Sequence, residues 1–118
     1  MATLLDKTVN GCRRAGLIGI ALLVLGSATT AQSAGTMMIK VENYSFMPSE
    51  LVVKPGTTVI WVNKDDSPHT ISSTNHVLAS KAMDTDDQFS FTFDKEGDYK
   101  YFCTLHPYMV GVVKVRSQ

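Results

Sequence analysis

Gln88-Phe89-Ser90-Phe91-Thr92-Phe93 alternates polar and aromatic residues without a break. Successive side chains of a β-strand point to opposite faces, so this run sets three phenyl rings on one face. Further along, Tyr99 and Tyr101 alternate in the same way, as do Val113 and Val115. The pattern predicts strands at Met37–Val41, Glu50–Val53, Thr57–Asn63, Gln88–Phe93, Tyr99–Cys103 and Gly111–Arg116. Turn chemistry separates them at Lys54-Pro55-Gly56 and Glu96-Gly97-Asp98. Asn75 to Met83 carries no strong pattern and reads as a loop or one short helical turn. From Thr36 onward no stretch sustains a helical period and no internal repeat appears. Many short strands with Gly/Pro turns predict an all-β fold, a Greek-key antiparallel β-sandwich, with Trp61, Phe89, Phe91 and Phe93 in its core.

The first 34 residues are a different material. Lys7, Arg13 and Arg14 give a positive start, Ala15 to Gly26 is an uncharged apolar run of 12, and small residues follow from Ser27 to Ala34. That order predicts a signal peptide over residues 1–34, cut near Ala31 to Ala34, and a single domain over residues 35–118. The apolar run is short of the roughly 20 residues a membrane-spanning helix needs. Arg13-Arg14 leaves twin-arginine export open beside the general route. Eleven basic residues balance eleven acidic ones. Loss of Lys7, Arg13, Arg14 and Asp6 leaves eight basic and ten acidic side chains, so the charge speaks against a nucleic-acid partner.

Cys12 leaves with the leader, and Cys103 becomes the only cysteine. A lone thiol in an oxidising compartment has no internal disulfide partner, and is protected only by burial or by a bound group. The same count weighs against a disulfide-bonded immunoglobulin-like sandwich, which Trp61 and Tyr101 would otherwise suit. Cys103-Thr104-Leu105-His106-Pro107-Tyr108-Met109 puts a thiol, an imidazole and a thioether at a spacing of three between two strands. A closed loop of that kind aims its side chains at one ion. A fourth donor must come from elsewhere, and His69, just past the Thr57–Asn63 strand, is placed for it; His76 is the competitor. The ends of non-sequential strands meet at one pole of a Greek-key sandwich. Two imidazoles and a thiolate with a weak axial thioether make the type 1 (blue) copper set. Zinc prefers four strong donors, and iron–sulfur clusters need more cysteines. The metal residues are thus predicted as His69, Cys103, His106 and Met109, with Met109 as a plain core residue the alternative for that position.

Those residues carry a resemblance. Tyr44-Ser45-Phe46-Met47-Pro48, the stretch Lys54 to Asn63, Pro68-His69-Thr70 and the Cys-x2-His-x2-Met loop resemble the cupredoxins, the plastocyanin and azurin family, over Met37 to Val115. The loop length is that of the amicyanins, although Leu105 stands where they typically carry proline. The resemblance implies one copper ion and an electron-transport role: a monomeric, mobile one-electron carrier of the periplasm, not an enzyme. It also implies an electron gate at the His106 edge inside an apolar patch of Pro68, Leu105, Pro107 and Tyr108, with Met47 and Met83 as additions. The partners it suggests are a quinone-cofactor amine dehydrogenase and a c-type cytochrome. Thr70 and Thr104 would link the two ligand loops, and Asn63 would brace the loop of His69. A copper delivery or storage protein is the alternative function. The acidic run Asp84-Thr85-Asp86-Asp87 reads as a solvated loop.

Overall fold

The computed structural model describes residue 26 and residues 34–117; apart from Gly26 and Ala34, the predicted leader lies outside the described residues. Seven strands follow in order: β1 Thr36–Glu42, β2 Ser45–Met47, β3 Glu50–Val53, β4 Thr57–Asn63, β5 Gln88–Phe93, β6 Gly97–Phe102 and β7 Val110–Val115. They form a four-stranded sheet in the order β2-β1-β4-β5 and a three-stranded sheet in the order β3-β7-β6. β3, β4 and β5 have the bounds that the residue pattern predicts. β2 is an additional short strand, and Asn75 to Met83 holds no helix, only turns and the Ser72↔Ala79 and His69↔Met83 bridges.

The sandwich is mixed where an antiparallel one was expected. β1 runs parallel to β4, pairing Ile39 with Trp61, and β3 runs parallel to β7, pairing Leu51 with Val113. Parallel neighbours need a crossover. Here the chain supplies it by passing to the other sheet and back between β1 and β4. Side-chain alternation reports which face is buried and carries no information on the direction of the neighbouring strand.

Alternation sets the core. Ile39 and Val41 of β1, Val59 and Trp61 of β4 and Phe93 of β5 face Leu51, Val53, Tyr101, Val113 and Val115 of the second sheet, all buried. Trp61 lies edge-on to Tyr101, with ring centroids 5.4 Å apart and planes at 83°. Ile71 and Leu78, from the long β4–β5 connection, close the gap between the sheets. Lys54-Pro55-Gly56-Thr57 makes the predicted turn into β4. Gly56 has φ 87°, a left-handed conformation that costs glycine nothing, and Thr57 donates both its amide and its hydroxyl to the Lys54 carbonyl.

The Tyr101 hydroxyl and the Trp61 indole N–H are both buried without a well-aligned hydrogen-bond partner. Burial pushes the Tyr101 phenol up to about 12, and the indole beside it acts more weakly in the opposite direction. A tyrosine exposed by unfolding ionises near its ordinary value of 10.0. The stabilisation this difference gives, on the order of 3 kcal/mol, is therefore complete below pH ~10 and lost as pH rises through about 12. Alkaline titration should show the Tyr101 phenolate absorbance rising together with loss of the fold, and Tyr101→Phe should remove that step. A Tyr101 that ionises near 10 in the folded protein would refute this.

Candidate metal centre

One pole of the sandwich gathers the ends of β4 and β6 and the start of β7. The buried Asn63, last residue of β4, organises the segment after it. Its side-chain amide donates to the carbonyls of Ser67 (2.9 Å) and Met83 (2.8 Å), and its oxygen accepts the Asp65 N–H (2.9 Å). His69 then pairs with Met83 through two backbone hydrogen bonds, His69 N–H to Met83 O (3.1 Å) and Met83 N–H to His69 O (2.8 Å). The imidazole of His69 is thereby fixed in the interior, fully buried.

The second segment is the loop after β6. Cys103 N–H donates to the Met109 carbonyl (3.1 Å) and Met109 N–H to the His106 carbonyl (2.9 Å), which closes the seven residues into a tight ring. Cys103 is fully buried, Met109 almost so, and His106 half-buried. The two segments are stitched together by threonines. Thr104 N–H donates to Thr70 Oγ1 (2.8 Å), the two hydroxyls lie 2.9 Å apart, and Thr70 N–H points at Cys103 Sγ (3.4 Å). The link through Thr70 and Thr104 and the brace through Asn63 are both as the sequence implied.

His69, Cys103 and His106 converge, with one donor atom from each lying within 4.8 Å of the others. Cys103 Sγ is 3.7 Å from Nδ1 of His69 and 3.7 Å from Nδ1 of His106. Bonds of about 2.0 Å to imidazole nitrogen and 2.3 Å to thiolate, held at a trigonal angle, span about 3.7 Å. The donors therefore stand at the spacing that one first-row metal ion requires. His69 Nε2 lies 2.7 Å from Asp65 Oδ2. With the carboxylate accepting a hydrogen bond from the Nε2–H, Nδ1 keeps its lone pair for the centre. Burial alone would raise the Asp65 carboxyl. The N–H of Tyr44, the His69 ring and the N–H of Asn43 outweigh it and hold the group below its ordinary value.

Of the other predicted site residues, His76 sits exposed in a turn and is not part of the converging group. Leu105, Pro107 and Tyr108, the apolar chain neighbours of His106, are exposed, and so are Pro68, next to His69, and Met47. Met83 is a correction: it is 3 % exposed, held under the His69 segment by the backbone pairing above, and forms no part of that surface. Sequence reasoning passed over two residues here, Asp65 and Tyr44. The spacing of Asp65, four before His69, was the available signal for the first; nothing local to Tyr44 announced the second.

Comparison with known proteins agrees with this geometry. Residues 15–115 match the cupredoxin-like domain. Amicyanin of Paracoccus versutus is 33% identical over 87 residues, an alignment that takes in 70% of this chain and 66% of that protein, just under two thirds of its length. The crystal structure of that amicyanin superposes with a TM-score of 0.65 at 31% identity, covering 69% of this chain and 81% of the other. A purple cupredoxin from Nitrosopumilus maritimus gives a TM-score of 0.63 at 33% identity, over 68% of this chain and 99% of its own. The copper-containing nitrite reductase of Thermus scotoductus is similar over 70% of this chain but only 23% of its own length (TM-score 0.65, 27% identity). Cupredoxins of this kind bind one copper ion, which suits a centre of one buried thiol and two imidazoles. With the sheet arrangement, the donor spacing and the family match in agreement, the chain belongs to the cupredoxins.

Proposed function

We propose that this protein is an exported type 1 copper protein, a mobile one-electron carrier whose ion is held by His69, Cys103, His106 and Met109. The observation that carries the reading is the 3.7 Å spacing of Cys103 Sγ from both Nδ1 atoms, with His106 alone among the three converging residues not fully buried. Copper, when bound, supplies a one-electron couple. The chain's own contribution is to keep the donors from moving. Asp65 fixes the His69 ring, Asn63 and Met83 fix its backbone, and the threonine link holds Cys103 against it. Little then rearranges between oxidation states, which suits rapid transfer.

The apolar surface around His106 supports a docking role. Weak redox encounters use interfaces below roughly 1,200 Å², and a small apolar rim with few fixed contacts favours fast release. The donor and acceptor are redox proteins. The similarity to amicyanin makes a quinone-cofactor amine dehydrogenase and a c-type cytochrome the pair to test. Residues 1–34 are read as the export signal and residues 35–118 as the periplasmic domain, acting as a monomer. No helix of the described residues is long and apolar enough to cross a membrane. Copper delivery is the second reading; the complete burial of Cys103 and His69 favours retention of an ion over its release.

Adding Cu(II) to the purified protein and recording absorption and paramagnetic resonance tests the assignment. An intense blue thiolate-to-copper band supports a carrier, and a colourless protein that surrenders Cu(I) supports delivery. The axial position has its own test. Met109→Gln should keep copper bound and lower the reduction potential, since a harder oxygen donor favours Cu(II). An unchanged potential would make Met109 a core residue only.

A further inference from the structure

β1 and β2 are joined by a two-residue turn, Asn43-Tyr44, closing the pair Glu42↔Ser45. Both turn residues lie in the left-handed region, with φ 53° and 54°. Such hairpin turns take asparagine readily at the first position and glycine at the second; a bulky ring at positive φ is uncommon. Tyr44 thus breaks a local rule, and it gains little burial in return, being 45% exposed. The turn is held by Asp65. Its Oδ1 accepts the Asn43 N–H (2.7 Å) and its Oδ2 the Tyr44 N–H (2.9 Å), while that same Oδ2 meets His69 Nε2 (2.7 Å). One carboxylate therefore ties the strained turn to the metal centre.

The turn delivers the Tyr44 ring to that centre. Its centroid is 5.4 Å from the His69 ring at 87° and 5.0 Å from the His106 ring at 86°, edge-on to both. His106 is the one converging residue that is not buried, and it rides on a short loop. Besides Tyr44 its aromatic neighbours are the His69 ring on the inner side (5.0 Å) and Tyr108, which is farther away (6.2 Å) and 70% exposed. Strain kept at a functional site points to a role there.

We propose that Tyr44 is a positioning residue that pins the His106 imidazole from outside, keeping Nδ1 turned toward Cys103 Sγ before any metal arrives. Its consequence for copper rests on the ligand reading above; the pinning itself does not. The test compares Tyr44→Gly, which relaxes the turn and removes the ring, with Tyr44→Phe, which keeps the ring. In the metal-free protein, Tyr44→Gly should leave the thermal midpoint level or higher, yet move the His106 ring-proton resonances toward averaged, unshielded positions. In the copper-loaded protein it should speed copper loss to a chelator by about tenfold, the lower end of what supporting partners contribute to metal sites. Tyr44→Phe should restore both readouts. His106 resonances and copper loss unchanged in Tyr44→Gly would overturn the proposal, as would a lowered midpoint with unchanged resonances, which would make Tyr44 a turn residue alone. Resonances that move as expected in a protein that binds no copper would uphold the pinning and sink the copper reading instead.

Discussion

Cys103→Ser is expected to give a folded, colourless protein. The blue band comes from charge transfer out of a thiolate, and a serine hydroxyl has no counterpart at visible energies. Among the described residues Cys103 is the one free cysteine, so no other thiolate is on hand to replace it. The fold should survive because the exchange is nearly isosteric at a fully buried position, and the new oxygen accepts the Thr70 N–H that now points at Sγ. The expected cost is about 1 kcal/mol, that of remaking one buried hydrogen bond with altered geometry. Visible absorption after copper addition reads the first effect, and denaturant unfolding of the metal-free variant reads the second. A blue Cys103→Ser protein would remove this residue from the centre.

Gly111→Ala should do the reverse, damaging the fold first. Gly111 lies directly opposite Tyr101 in the β6–β7 pairing, so a side chain added there emerges on the same face as the tyrosine. A Cβ at Gly111 would run into the ring, with Cε2 only 2.8 Å away. Two neighbours resist its retreat. Phe46 packs edge-on against it at 4.7 Å and Trp61 at 5.4 Å. Overpacking of this kind costs about 1–3 kcal/mol, and more where the neighbours cannot give. Tyr101 is two residues from Cys103, so the displacement should also loosen copper retention. Thermal unfolding of the metal-free protein is the measurement. A midpoint equal to wild type would mean that the β6–β7 pair flexes freely, contrary to the packing described.

Much of this was legible in the residues. β3, β4 and β5 were read to the residue because alternation and strong turn chemistry agree there, most plainly where Lys54-Pro55-Gly56 separates two alternating runs. The convergence of His69, Cys103 and His106 was legible because metal-ligating chemistry is a matter of residue type and spacing. What escaped depended on contacts between distant segments. β2 has three residues, too few for a pattern, and its turn carries tyrosine where glycine would have announced it. Asp65 sits beside Lys64 and Asp66 and reads as one more solvated charge; only the fold brings the Asn43-Tyr44 turn onto it. Met83 looked available for the surface because nothing local to it records that its backbone pairs with His69.

The position of β7 has a consequence for how the molecule is made. The last strand of the chain is the middle strand of its sheet, with β3 on one side and β6 on the other. Glu50 to Val53 cannot find their partners, Val112 to Val115, until the chain through β7 is available. The loop that brings Cys103, His106 and Met109 together is anchored at its far end by that same strand. Until β7 is free, β3 and β6 lack the strand that lies between them and the second sheet stays open. Pairings so distant in sequence place closure on the slow, roughly millisecond-to-second side of small-domain folding. Arrival of β7 thus completes the second sheet, and with it the loop that buries the thiol and forms the pole.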